Sequence, residues 1–287
     1  MADKINLCDA DYLNRLLKKH GFTFSKSLGQ NFIIDSSVCP KMAQLCGCEN
    51  SGVIEIGPGV GVLTRELSGV AKKVVAIELD RRLLPIYSET LCGCDNVEVV
   101  FGDVMKLDLA ALIVEKFSGM NVVVCANLPY YITSPIIMGL LEQRLPLESI
   151  TVMVQKEAAD RLCAEMGTRE CGAVTAAVSY YAAAEILFDV PRECFMPSPK
   201  VDSSVIRLNL HKEPPVSVND EKYMFKIIRS AFNQRRKTLC NSLNSAMGLD
   251  KLVISNALEN CGLKPTARPE ELTLAQFAKL SDTLGKL

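Results

Sequence analysis

The stretch ANLPYYITSP, residues 126–135, places Asn127, Pro129 and Tyr130 directly after the apolar run VVVC. A carboxamide does not titrate near neutral pH, so Asn127 cannot be a general base, and any chemical use it has is positional. The exocyclic amine of adenine is a poor nucleophile because its lone pair is delocalised into the ring. If the Asn127 side-chain oxygen and a backbone carbonyl fixed by Pro129 accept its two hydrogens, that lone pair turns toward an alkyl donor. Tyr130 offers a ring on which the base can stack, a contact worth roughly 1–3 kcal/mol. Taken alone, the tetrapeptide reads first as a proline-bent strand end with a tyrosine over the core.

A second stretch supplies what the first lacks. VIEIGPGVGVLTREL reads as strand, glycine turn and helix start, with Gly57, Gly59 and Gly61 at alternate positions. Such a turn brings bare backbone N–H groups close to a ligand at a helix N-terminus. The dinucleotide fingerprint needs its third glycine one position later, where this chain has Val62, so a nicotinamide cofactor is disfavoured. Glu78 ends the next apolar run and can accept hydrogen bonds from both ribose hydroxyls, and Asp103 ends the run after that. Glycine turn and carboxylates together describe a nucleoside-bearing cofactor with no required pyrophosphate, which S-adenosylmethionine fits. Glu55, inside the first of these runs, is a carboxylate in need of a partner, either bracing the loop or meeting the cofactor's amino group.

These residues can converge only if the chain builds the right scaffold. From residue 53 onward the runs VIEIG, VVAIELD, VEVVFGD, NVVVCANLP and ITVMVQKE alternate with segments of helix length. That pattern predicts an α/β fold, a Rossmann-like, mostly parallel sheet with helices on both faces. AAEILFDV near 183–190 and SSVIRLNL near 203–210 lie closer together and are expected to pair antiparallel at one edge. Leu13, Leu16 and Leu17 mark a short amphipathic helix in an N-terminal extension covering residues 1–50. HKEPPVSVND, 211–220, has paired prolines and no periodicity and reads as a linker. The expected organisation is a catalytic domain over 1–210 and a small all-helical domain over 221–287.

Composition narrows the classes further. A chain of 287 residues, 48% apolar, can bury a large core, and its formal charge of -1 leaves nucleic-acid binding to local patches. The 12 cysteines lie scattered in apolar segments without a C-x-x-C pair, which suggests reduced thiols. The pairs Cys46 with Cys48 and Cys92 with Cys94 are spaced too closely for an ordinary structural zinc site, so no metal is expected. Neither a signal-peptide core nor a bilayer-length apolar run is present, and the cytoplasm is the expected location, with no membrane partner. The lack of a heptad run makes a monomer the default.

The ordered set SLGQNFIID, EIGPGVG, Glu78, Asp103, NLPYYITSP, FMPSPKVDS and AFNQRRKTL resembles the KsgA group of small-subunit ribosomal RNA adenine N6,N6-dimethyltransferases, over nearly the whole chain. The resemblance implies S-adenosylmethionine as cofactor, contacted by Asn31, Ile33, Gly57, Gly59, Glu78, Asp103 and Asn127. It implies that Asn127 and the Leu128 backbone, with Pro129 and Tyr130, hold the target amine, and that Tyr130 and Phe195 sandwich the adenine. It implies as substrate two adjacent adenosines in a hairpin loop near the 3' end of small-subunit RNA, within an assembling small ribosomal subunit. Ile33 and Tyr131 depart from the commonest bacterial pattern, which has leucine and asparagine there. In EKYMFKIIRSAFNQRRKTLC, 221–240, six basic residues stand against one acidic. Lys222, Lys226, Arg229, Asn233 and Arg236 are spaced as one helical stripe, and Phe225, Ile228, Phe232 and Leu239 as an apolar one. Arg235, Arg236 and Lys237 are the foremost RNA contacts expected. Two other readings fit part of the pattern: the macrolide-resistance type of large-subunit methyltransferase, and a non-catalytic assembly factor that kept the fold.

Overall fold

In the computed structural model, which describes residues 6–25, 28–234 and 236–286, the chain opens with α1 (Ala10–Lys19), β1 (Phe32–Ile33) and α2 (Val38–Leu45). There follow β2 (Gly52–Ile56), α3 (Val62–Val70), β3 (Lys73–Glu78), α4 (Leu84–Thr90), β4 (Val97–Phe101), α5 (Leu109–Lys116) and β5 (Val122–Asn127). After these come α6 (Thr133–Glu142), β6 (Ser149–Gln155), α7 (Lys156–Leu162), α8 (Ala173–Tyr181), β7 (Ala182–Val190), β8 (Phe195–Met196) and β9 (Ser203–Leu210). The remainder is helical: α9 (Glu221–Phe232), α10 (Leu239–Met247), α11 (Lys251–Asn260) and α12 (Leu274–Leu284).

The seven-stranded sheet has the order β4-β3-β2-β5-β6-β9-β7. β2 pairs parallel with both β3 and β5, and β4 and β6 extend the parallel part on either side. β9 runs antiparallel to β6, which sets the expected reversed edge, and β7 lies outermost beside β9. β2, β5 and β6 are buried along nearly their full length, so their residues can be apolar on both faces. At the edge, β4 is only half-buried throughout. Strand order reverses between β2 and β5, so the connections leaving their carboxyl ends diverge and open a crevice there.

Local chemistry explains the flanking elements. Asp9 caps α1 by accepting from the Tyr12 N–H at 2.9 Å, and Leu13, Leu16 and Leu17 are buried beneath it. A two-stranded antiparallel pairing of β1 with β8 joins Phe32 to Met196 and Ile33 to Phe195. Neither two-residue strand has a periodicity to read in sequence. Among the described residues no helix is long and apolar enough to cross a membrane.

The chain divides into two compact units, one of Met1–Ala159 with Glu185–Leu210, the other of Asp160–Ala184 with His211–Leu287. One passage between the units falls at 210–211, so residues 211–220, expected as a linker, group with the C-terminal helices, and so does the stretch holding α8, expected in the first domain. Its aromatic end explains why: Tyr180 and Tyr181 pack on Phe225 at 5.3 and 5.6 Å between ring centroids. Their hydroxyls donate to the Glu221 carboxylate at 3.1 and 2.7 Å. The basic stripe is also shorter than expected. α9 stops at Phe232, a turn closes with the Lys237 N–H donating to Gln234 at 2.8 Å, and Thr238 caps α10. Leu239 thus begins a new helix, and Arg236 lies in the turn rather than on the α9 face. Arg235 lies outside the described residues.

One close approach invites a test. A Cβ built on Gly52 in β2 would sit 2.2 Å from the buried Phe117 ring, which has no free space to retreat into. Gly52→Ala is expected to destabilise the first unit by about 1–3 kcal/mol, read as a lowered urea midpoint; an unchanged midpoint would show that the ring can move.

Candidate active site

The carboxyl ends of β2, β3, β4 and β5 and the segment leading into β1 surround a cleft of about 1070 Å³, including its open mouth. Asn31, Ile33, Gly57, Gly59, Glu78 and Asp103 all line it, as do Asn127, Leu128, Pro129 and Tyr130. Phe195 does not. It is 2% exposed and belongs to the core cluster with Ile33, because its position in β8 points it inward. In this structure the ring offers no face to a base.

The glycine turn requires its glycines. Gly57, Gly59 and Gly61 have φ of 72°, 57° and 92°, in the left-handed region that L side chains rarely enter. Gly61 then caps α3, whose Leu63 and Leu67 anchor it in the core. At the end of β3, Glu78 is buried and accepts from the Asp80 N–H at 2.7 Å, the Gly59 N–H at 3.4 Å and the Tyr87 hydroxyl at 3.5 Å. Burial nevertheless raises its pKa above the ordinary carboxylate value. Glu55 is 1% exposed, and its Oε2 has no hydrogen-bond partner among the described residues. Burial pushes its pKa up to about 8; the Glu78 charge adds to the rise, and the Thr64 hydroxyl dipole only partly opposes it. Asp103 is half-buried and accepts from the Met105 N–H at 3.0 Å.

Glu55, Glu78 and Asp103 thus give the cleft three carboxyl groups, and no Lys, Arg or His lies among its described lining residues. A pyrophosphate would find no cation there, whereas the hydroxyls and amino groups of a nucleoside would find carboxyl oxygens to bond, an arrangement that disfavours a dinucleotide and suits a nucleoside cofactor without phosphate. The orphaned Glu55 Oε2 is a buried acceptor awaiting a donor such as an ammonium.

The N-L-P-Y turn is held from both sides. The Asn127 amide nitrogen donates to the Asn31 carbonyl at 3.4 Å, and the Leu128 N–H donates to Met153 at 3.2 Å. The Pro129 carbonyl is taken by the Ile132 N–H and the Thr133 hydroxyl, both at 3.2 Å. The Asn127 side-chain oxygen and the Leu128 carbonyl accept nothing from the described residues. Two neighbouring acceptors are left available at the cleft wall. Beside them the Tyr130 ring is pinned by a 2.6 Å hydrogen bond between its hydroxyl and that of Ser203.

Three further residues line the cleft without having been assigned a role from sequence. Gln30 precedes the expected Asn31. Tyr131 is 56% exposed, with its ring 3.2 Å from where a Gly29 Cβ would stand. Leu79 follows Glu78 as an exposed apolar side chain.

The sequence profile described as ribosomal RNA adenine dimethylase matches residues 21–286. The chain belongs to that family. Among its relatives is the ribosomal RNA small subunit methyltransferase A of Geobacillus thermodenitrificans, 50% identical over 95% of this chain and 94% of that one. The protein of the same name from Lachnoclostridium phytofermentans is 48% identical over 94% of this chain and 95% of its own. Two solved structures are also similar. A dimethyladenosine transferase from Plasmodium falciparum superposes with a TM-score of 0.73 and 27% identity, covering 87% of this chain and 95% of that chain. The 23S rRNA methyltransferase ErmE gives 0.67 and 26%, covering 88% and 99%. As an adenine dimethylase, the enzyme takes its methyl groups from S-adenosylmethionine, a nucleoside cofactor without phosphate, which the cleft suits.

The buried Glu55 makes stability depend on pH. Its folded pKa of about 8 lies above the free value of 4.5, so the folded state holds the proton more tightly. The contribution is full below about pH 4.5 and is lost as pH rises through about 8, a loss on the order of 5 kcal/mol. Glu55→Gln should therefore gain stability relative to the parent dimethylase between pH 5 and 8.5, measured by urea unfolding at each pH; a constant difference would mean that Glu55 is ionised in the folded protein.

Proposed function

We propose that the chain transfers methyl groups from S-adenosylmethionine to N6 of two adjacent adenosines in a hairpin loop near the 3' end of small-subunit ribosomal RNA. It acts as a monomer, in the cytoplasm, on a small subunit still being assembled. Support for the small-subunit substrate comes from relatives 47–50% identical over nearly the whole chain, all named small subunit methyltransferases. The observation that carries the chemistry is the pair of unengaged acceptors, Asn127 Oδ1 and the Leu128 carbonyl, beside the pinned Tyr130 ring.

In this reading Glu78 takes the ribose hydroxyls, Asp103 and the glycine turn border the nucleoside, and Asn31 and Ile33 close the cleft from the other side. When bound, the cofactor supplies an electrophilic methyl on a good leaving group. Asn127 and Leu128 accept the two hydrogens of the target amine, so its nitrogen pyramidalises and the lone pair, withdrawn from the ring's π system, points into the cleft. As N6 gains positive charge on alkylation, the same two oxygens lie where that charge develops. Alignment of this kind is worth up to roughly 7–11 kcal/mol, so no titrating base is required. As the N6–methyl bond replaces the methyl–sulfur bond, N6 becomes a strongly acidic cation and gives one proton to solvent water; a single N6 hydrogen then remains, and one acceptor is enough to hold it for the second transfer. Tyr130 stacks on the base once it has left its own stack, which is easiest in a loop.

RNA contact is assigned to the second unit. Lys222, Lys226 and Arg229 are exposed along one face of α9, while Met224, Phe225, Ile227 and Ile228 on the other are buried. Arg236 and Lys237 follow, exposed, in the turn. None of these five forms an ion pair with a described residue, leaving their charge available to phosphate.

The deciding experiment is tritiated methyl transfer to small ribosomal subunits lacking the modification, followed by nucleoside analysis. N6,N6-dimethyladenosine in the small-subunit RNA is the expected product; label only in naked large-subunit RNA would overturn the substrate assignment. Asn127→Ala should lower single-turnover transfer by about 100-fold or more while S-adenosylmethionine affinity by calorimetry stays within a few-fold. Replacing Arg236 and Lys237 by Ala should weaken RNA binding and flatten its salt dependence by about one slope unit per lost phosphate contact; an unchanged slope would place the RNA elsewhere.

A further inference from the structure

Outside the cleft, the end of β3 carries a second carboxylate, Asp80, that does not line the cavity. It is buried, and the Arg82 guanidinium grips it through Nε at 2.8 Å and Nη2 at 2.6 Å, holding it ionised. The same Oδ2 accepts from the Gln30 side-chain amide at 2.8 Å. The Gln30 oxygen accepts in turn from the Ser25 N–H at 2.9 Å, so both ends of the carboxamide are committed. Arg82 also reaches the Thr23 carbonyl at 3.3 Å and lies 5.1 Å over the Phe22 ring. Two groups just past the end of β3, the Asp80 carboxylate and the Arg82 guanidinium, thus hold Phe22, Thr23 and Gln30.

That segment ends on the N-L-P-Y turn. Asn31, next to Gln30, supplies the carbonyl to which the Asn127 amide donates, and its own side chain turns back to Gly29 at 3.3 Å. Gly29, at a φ of 61°, lies against Tyr131 and Pro129: a Cβ there would stand 3.2 Å from the Tyr131 ring and 3.5 Å from Pro129. At the opposite end, the Asp80 N–H donates to Glu78 at 2.7 Å. A continuous series of bonds therefore runs from Glu78 through Asp80, Gln30 and Asn31 to Asn127.

Resting on the function proposed above, we infer that Gln30, clamped by the Asp80–Arg82 pair, is a positioning residue: it holds the Asn31 carbonyl where it orients the Asn127 carboxamide and couples that orientation to Glu78. An Asn127 amide free to rotate would present nitrogen as often as oxygen to the incoming amine, and a donor facing a donor aligns nothing. Gln30 touches neither reacting atom in this scheme. Its effect passes through Asn31.

Three variants of the full chain test this: Gln30→Glu, which sets a carboxylate against Asp80; Asp80→Asn; and both together, which reverses donor and acceptor. Gln30→Glu should lower single-turnover transfer to unmodified small subunits by about tenfold or more at saturating substrates, and weaken S-adenosylmethionine several-fold by calorimetry. The double variant should recover most of both losses, a coupling that independent sites do not show. A merely structural Gln30 would lower the melting temperature and leave the saturated rate at the parent value. That result, or losses that add in the double variant, would overturn the inference. If the parent labels no small-subunit RNA, the functional reading fails, and the calorimetric pattern still decides whether the clamp governs the cleft.

Discussion

Everything in the catalytic unit depends on the reversal of strand order between β2 and β5. Both strands are central, paired in parallel and buried, so their carboxyl ends come out of the core side by side. Their connections then part, one into the glycine turn and α3, the other into the N-L-P-Y turn and α6. The crevice is a consequence of that divergence rather than of any side chain. Side chains decide only what it accepts, and here they place carboxyl groups in β2 and at the ends of β3 and β4 and leave unengaged acceptors at the end of β5.

Burial supplies the second half of the design. Glu55 and Glu78 occupy positions where hydrophobic neighbours strip away water, and their affinity for protons rises accordingly. Glu78 is bonded within the protein, whereas Glu55 Oε2 is left without a partner among the described residues. The unfilled hydrogen-bonding capacity of Glu55 Oε2 and of the Asn127–Leu128 pair is concentrated along one cleft, a distribution expected of a binding site rather than of a core.

The strands that run through the core were legible in sequence because burial on both faces leaves short, continuous apolar runs between turn residues. The glycine turn, Glu78, Asp103 and Asn127 were legible because each stands at the end of such a run, and all four do meet in one cleft. What escaped was whatever depends on contacts distant in sequence and too short to carry a period. The β1–β8 pairing is two residues long. The Gln30–Asp80 bond joins residues 50 positions apart. Phe195 looked like a stacking ring because its motif places an aromatic near the cleft, but only the strand register shows that it faces inward. Arg236 fitted the helical stripe by spacing, which says nothing about the Thr238 cap that starts a new helix.

The assignment of α8 to the helical unit has a consequence for how this protein could be rebuilt. The backbone passes from one unit to the other at 159–160, at 184–185 and again at 210–211. The helical unit is therefore no detachable appendage. Ending the chain at 210 would strip Tyr180 and Tyr181, at the end of α8, of the Phe225 ring on which they pack. A chimera meant to join this first unit to another protein's helical unit would have to exchange two separate stretches at once. Single-crossover recombination at the proline-rich junction would yield a mismatched core, so such folds should diversify by substitution within the helical unit more readily than by its wholesale replacement.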